Sequence, residues 1–319
     1  MLSVIIPSRN VESWPFLQLT INNLFENAMG EIEVIVILDG FQPNPPINPH
    51  KNLTLIYHPT AQGMRQGINL GASLAKGKYI MKLDDHCYMG LGYDTILAMD
   101  CEEDWLATPS RYSLNGDAWL SGETNTKKLR KYGPIDYLYL TPPHIKDDQF
   151  GWGLRGKKWM GEGGGAKEGY FDREKKLREK KIDDIIAFQG SCWFMHKSLF
   201  EKIGCMQAEG YRDHQECQEL AFKIWLSGGR CVVNKKTWYA HLHKGPDWGR
   251  GYKLLRHHQI ESQIYSAKTW LTNSWPGQIK SFKWLIEHPS WHPMDRWNEV
   301  DLDNPDVWKN YDYSKWMNK

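Results

Sequence analysis

Two carboxylates and an imidazole, Asp84, Asp85 and His86, stand in a row at the end of a short apolar run made by Tyr79, Ile80, Met81 and Leu83. Such a set suits a divalent ion that must also hold phosphate oxygens. The run reads as a buried strand. In open α/β sheets ligands bind outside the carboxyl ends of strands, so a polar cluster at that point is a site candidate. A solvated turn after an edge strand is the bland alternative, and the flanking sequence decides between them.

The elements that must position the cluster are legible before and after it. Leu2 to Pro7 reads as a first strand, followed by the polar turn Ser8-Arg9-Asn10. Phe16, Leu17, Leu19, Thr20, Leu24 and Phe25 recur at helical spacing, and Gly30 ends that helix. Glu31 to Leu38 is a second buried strand closed by Asp39-Gly40, and Leu53 to Tyr57 is a shorter one at an edge. Gly63 to Ala75 carries Met64, Ile68, Leu70, Ala72 and Leu74 on a helix that leads into the central strand. The first ninety residues therefore run β-α-β-β-α-β, a nucleotide-binding half-sheet in pattern, without GxGxxG or a P-loop.

Composition narrows the class. The 319 residues are 41% hydrophobic and 24% charged, ordinary for a soluble protein, and the net charge of +2 averages over unlike regions. No apolar run approaches the length of a membrane span, and a strand-like LSVIIP begins at residue 2, where a signal peptide would lie. Six cysteines without CxxC or scaffold spacing read as reduced thiols, and the expectation is a cytoplasmic protein.

The strings SVIIPSRN, VIVILDG and AKGKYIMKLDDHC together resemble the family 2 nucleotide-sugar glycosyltransferases of the GT-A fold. The metal motif resembles that of polypeptide N-acetylgalactosaminyltransferases, Asp-x-His within an LDSHC string. GSCWFMHKSLFEKIG, ECQELAFKIWLSGGR and YAHLHK follow in the same order as that group's later blocks. The resemblance covers residues 2–110 and 186–245. It implies an α/β GT-A domain, with Asp84, His86 and His241 as metal positions. Histidine ligands shift preference from Mg²⁺ toward Mn²⁺ or another first-row divalent cation. It implies a UDP-sugar donor, with Asp39 at the uracil or ribose. Pro7, Ser8, Arg9, Arg65, Asp85, Trp193 and Lys244 complete the donor-binding candidates. Inverting members use the aspartate of a Glu-Asp pair as base, and alignment puts Glu216 on the glutamate but Cys217 on that aspartate. A thiol is a poor base for an alcohol acceptor. Either configuration is retained, or Asp213 or Glu216 serves as the base, with Glu216 the first candidate at the reacting centre.

Residues 111–185 have no counterpart in the resemblance. From Lys127 to Lys181 fifteen Lys or Arg face eight Asp or Glu, interleaved with glycine and with Trp152, Trp159 and Tyr170. Such a stretch suits a polyanion whose bases stack, or is simply a solvated charged segment. From it follows the expectation of a DNA partner, the acceptor being a hydroxymethylated base. Surface polysaccharide or a protein side chain is the alternative acceptor, and an inactive sugar-nucleotide or nucleic-acid binding module the rival class. Glycines around Trp248 after His241 fit a lid or a plain connection. Eight of the sixteen Trp lie after residue 244, so the division expected is a GT-A domain of 1–250 and a helical, Trp-rich appendage of 251–319.

Overall fold

A computed structural model describes residues 1–9, 15–143, 153–158, 177–212, 214–243, 255–291, 294 and 296–317. In chain order its elements begin with β1 (Leu2–Ser8), α1 (Phe16–Asn27), β2 (Ile32–Asp39), β3 (Leu53–His58), α2 (Met64–Leu74) and β4 (Tyr79–Leu83). Next come β5 (Cys87–Met89), α3 (Tyr93–Asp100), β6 (Trp105–Ser113), α4 (Gly116–Leu120), α5 (Thr126–Leu129), β7 (Leu138–Leu140), β8 (Gly156–Lys158) and β9 (Ile182–Asp184). The rest are β10 (Cys192–His196), α6 (Lys197–Lys202), α7 (Glu216–Leu226), β11 (Arg230–His241), α8 (Arg256–Trp270), α9 (Phe282–Ile286), α10 (Pro305–Lys309) and α11 (Ser314–Met317).

The main sheet has the order β3-β2-β1-β4-β10-β6-β11-β5, with β9 also paired to β11. The strands β3, β2, β1 and β4 are mutually parallel; β10 runs against both β4 and β6, and β11 is parallel to β6. Side chains alternate across the sheet with period two. Thus Val4, Ile6, Val34 and Val36 pack under α1 and α3, whereas Ile5, Ile35, Ile37 and Ile80 pack under α2 and α7. Both faces are covered, which is why these strands read as nearly unbroken apolar runs. β3 lies at the sheet's edge, as its shortness suggested.

One apolar core takes in residues from before 111, from 111–185 and from the tail beyond 255. β6 continues to Ser113, and Leu138, Leu140 and Leu154 are buried in the same core as α7. The Trp-rich tail belongs to that core as well. Trp270, Trp291, Trp297, Trp308 and Trp316 are buried in it, and Trp275 and Trp284 pack against it. Trp270 stacks edge-on to Phe222, and the Trp297 indole donates to the Leu140 carbonyl at 2.7 Å. Large rings fill the broad face that short helices alone leave open. Among the described residues no helix is long and apolar enough to cross a membrane. Trp152, Trp159, Tyr170, Trp248 and the lid candidate from Lys244 to Tyr252 that follows His243 lie outside the described residues.

Candidate active site

Sheet topology gathers the sequence candidates at one end. β1, β2, β4 and β11 all finish there, placing Ser8, Asp39, Asp84 and His241 along one rim. Because β10 runs the other way, the residues that precede it, Gln189 to Ser191, arrive at the same rim; the Asp84 N–H donates to the Ser191 carbonyl at 2.9 Å. A cleft of 430 Å³ opens above, bordered by Ser8, Asp39, Asp84, Gly190, Glu216 and His241, among others.

One ligand atom each from Asp84, His86 and His241 lies within 4.8 Å of the others. His241 Nε2 comes to 3.2 Å of Asp84 Oδ2 without the alignment of a hydrogen bond, and neither of its shielded ring nitrogens has a hydrogen-bond partner. Burial pushes this imidazole down to about 3, against the pull of Asp84, so it is neutral and keeps its lone pair. Burial alone would raise Asp84, but the Lys82 ammonium outweighs it and holds the carboxyl well below its usual range. A carboxylate with two imidazoles fits a first-row divalent ion such as Mn²⁺.

Asp85 turns away from a purely donor-side role. Its Oδ1 lies 2.5 Å from His86 Nδ1, and its Oδ2 accepts the Ser8 hydroxyl at 2.5 Å. A carboxylate on Nδ1 fixes the ring and leaves Nε2 as the free lone pair, the arrangement that orients metal-ligating histidines. Asp85 and Ser8 still border the cleft, together with Pro7 and Arg9.

Glu216 opens α7 directly after Gln215, whose φ of 58° turns the chain sharply. The residue is 6% exposed. Oε1 accepts the Trp193 indole N–H at 2.8 Å, and Oε2 lies 3.4 Å from Lys82 Nζ. A Cβ on Gly190 would come within 2.8 Å of Oε2, so a larger residue there would displace this carboxylate. Burial raises the Glu216 pKa, opposed by Lys82 and the Trp193 hydrogen bond. Trp193, expected to touch the donor, is fully buried and holds Glu216 instead, because β10 turns its ring under the cleft. Cys217 borders the cleft as a protonated thiol, pushed up to about 12 by burial and then by the neighbouring Glu216 charge.

Arg65 is not brought to the cleft. It is 2% exposed and ion-paired to Glu219, donates to the carbonyls of Gln207 and His214, and lies over the Tyr211 ring. As an early residue of α2 facing α7, it braces the loop that carries His214. Asp39 does border the cleft, while its carboxylate accepts the N–H groups of Gln62 at 2.7 Å and Gly63 at 2.9 Å. Gly63, at φ +100°, makes the turn into α2 that permits this. Asp213 and Lys244 lie outside the described residues. Sequence reasoning missed Lys82, Gln189 and His214, all at the cleft. A lysine inside a five-residue apolar strand was the available signal for the first.

A profile of the family described as "Glycosyl transferase family 2" matches residues 3–204. The chain belongs to that family. The chain is 22% identical over 284 residues to "Polypeptide N-acetylgalactosaminyltransferase 5" of Caenorhabditis elegans, covering 84% of its own length and 41% of the relative's. It is 24% identical over 241 residues to "Putative polypeptide N-acetylgalactosaminyltransferase 13" of Drosophila melanogaster, covering 74% and 36%. It thus spans about two fifths of the length of these curated relatives. Its fold is similar to that of GalNAc-T7, solved with UDP, GalNAc and Mn²⁺, at a TM-score of 0.65 and 18% identity over 91% of this chain and 56% of that one. The S. aureus TarS fragment in complex with UDP-GlcNAc follows at 0.52 and 14%, over 85% and 66%. The fold is the GT-A fold implied by the sequence resemblance.

Proposed function

We propose that this glycosyltransferase moves a sugar from a UDP-sugar to a hydroxyl acceptor, with a Mn²⁺-type ion held by Asp84, His86 and His241. The observation that carries the reading is the pair of unpartnered nitrogens on a shielded, neutral His241 set beside Asp84 and His86. When bound, such an ion offsets the charge that grows on the leaving diphosphate. Asp85 and Ser8 keep the His86 ring in its ligating tautomer, while Asp39 shapes the nucleotide end of the cleft through the Gln62–Gly63 turn. Glu216 faces the reacting centre, held by Trp193, with its raised proton affinity suited to accepting a proton from a hydroxyl. A protonated Cys217 leaves that role to Glu216 among the described residues, with Asp213 as the other base the sequence offers.

Both curated relatives are named for polypeptide acceptors. Much of the basic stretch behind the expectation of hydroxymethylated DNA lies outside the described residues, and neither relative's name points to DNA. A serine, threonine or sugar hydroxyl is therefore the acceptor we favour. The test is UDP release from UDP-GalNAc and UDP-GlcNAc with Mn²⁺, alone and with Ser/Thr peptides, polysaccharide, or duplex DNA bearing hydroxymethylcytosine. Metal-dependent release that a peptide or glycan stimulates is expected. Stimulation by the modified DNA alone would restore the DNA acceptor. Wild-type protein that binds neither UDP nor Mn²⁺ would refute the enzyme reading.

A further inference from the structure

Lys82 has no part in the roles above, yet it is the most enclosed charge at the site. It is 1% exposed, the last residue but one of β4. Burying an ammonium is strongly unfavourable unless each of its donors is paired. Here all three find acceptors: Asp84 Oδ1 at 2.6 Å, the Gly190 carbonyl at 2.5 Å and Glu216 Oε2 at 3.4 Å. In the β4–β10 register Lys82 stands opposite Trp193, the residue that donates to the other oxygen of Glu216. Neighbouring strands thus grip one carboxylate from both sides. Asp84 is shared in the same way, with Oδ1 on Lys82 and Oδ2 toward His241.

We propose that Lys82 is a positioning residue that couples the carboxylate at the metal position to the carboxylate at the reacting centre. It holds two like charges side by side that would otherwise repel, and it leaves Asp84 a single oxygen to offer toward His86 and His241. This rests on the roles proposed for Asp84 and Glu216. An ordinary strand needs no cation at position 82, since Ile80 on the same face packs into the apolar core. The cation has a cost as well: it weakens the attraction of the site for a second positive charge.

The coupling predicts opposite signs for binding and turnover, which damaged packing would not produce. In Lys82→Met, Mn²⁺ titrated without donor should bind at least about tenfold more tightly, because a buried positive charge has gone and Asp84 Oδ1 is freed. Turnover should nevertheless fall by about 10²-fold or more, with donor KM within about threefold, because Glu216 loses its partner. Metal-free Lys82→Met should be less stable to urea than wild type. Adding Glu216→Gln to it should restore stability, although Glu216→Gln alone lowers it. Mn²⁺ affinity that is unchanged or weaker in Lys82→Met, or stability effects that simply add, would overturn the proposal. Should Lys82→Met fail to fold alone, the neutral pair Lys82→Met/Glu216→Gln must fold and show near wild-type Mn²⁺ affinity; failure of that pair also overturns it. If wild-type protein binds no Mn²⁺, the proposed function fails, and the metal-free stability cycle still decides the coupling by the same criterion.

Discussion

Asp85 offers the sharpest separation between a residue that touches the donor and one that prepares a ligand. Its two oxygens are occupied at 2.5 Å by His86 and at 2.5 Å by the Ser8 hydroxyl, so substitution acts first on the imidazole. In Asp85→Asn the amide oxygen can still accept from Nδ1–H, and the amide nitrogen can face Ser8. The tautomer survives but the charge assistance is lost. In Asp85→Ala nothing accepts from Nδ1–H, and the proton can move to Nε2, where it blocks the ligating lone pair. Loss of such an orienting partner typically costs about 10–100-fold in metal affinity, or about 1.4–2.7 kcal/mol. We expect the asparagine near the lower end and the alanine near the upper. Calorimetric titration with Mn²⁺ in the absence of nucleotide reads this directly, with metal-free urea denaturation as the control for folding. Unchanged Mn²⁺ affinity in both variants, joined to a large loss of UDP-sugar affinity at saturating Mn²⁺, would refute the reasoning and return Asp85 to the donor.

Three further outcomes follow from the same geometry. Glu216→Gln should reduce turnover by about 10²–10⁴-fold with little change in donor affinity, whereas Cys217→Ser should be mild because the thiol is already protonated; the reverse pattern in steady-state kinetics would put the chemistry on the wrong residue. Arg65→Met should cost about 3–5 kcal/mol in urea denaturation, since it strands Glu219 at 0% exposure with Lys223 as its remaining cation; a stable variant that has lost UDP binding would instead place Arg65 at the donor. His241 excludes a proton in the folded state down to about 3, while the unfolded chain takes one near its ordinary value of 6.5. Stability of the metal-free protein is therefore complete above about pH 6.5 and declines as pH falls toward 3, by at most about 1.4 kcal/mol per unit for this group. His241→Gln should flatten the urea-midpoint profile between pH 6.5 and 4; an unchanged slope counts against a neutral, shielded imidazole.

What the sequence determined by itself was the half-sheet and its rim. Period-two apolar runs that stop at Ser8, Asp39 and Asp84 are local signals, written in consecutive residues, and they place those groups at strand ends. The ordered blocks also pointed to His241, which the fold sets beside Asp84 and His86 across more than 150 residues of chain. What a side chain does once it arrives was decided by tertiary structure. Arg65 and Trp193 looked like donor contacts, but α2 faces α7, and β10 turns the indole beneath the rim. Both groups were consumed by the buried carboxylates of Glu219 and Glu216. Lys82 was unremarked in a strand because its partners come from residues 84, 190 and 216, three segments that meet only when antiparallel β10 is inserted beside β4. That the Trp-rich tail packs over the sheet domain was suggested by its ring density, but which face it covers was not, since apolar rings carry no partner information until a sheet face is there to be covered. A buried charge must be matched by whatever the fold brings within about 3 Å, and that matching is a property of three dimensions rather than of spacing along the chain.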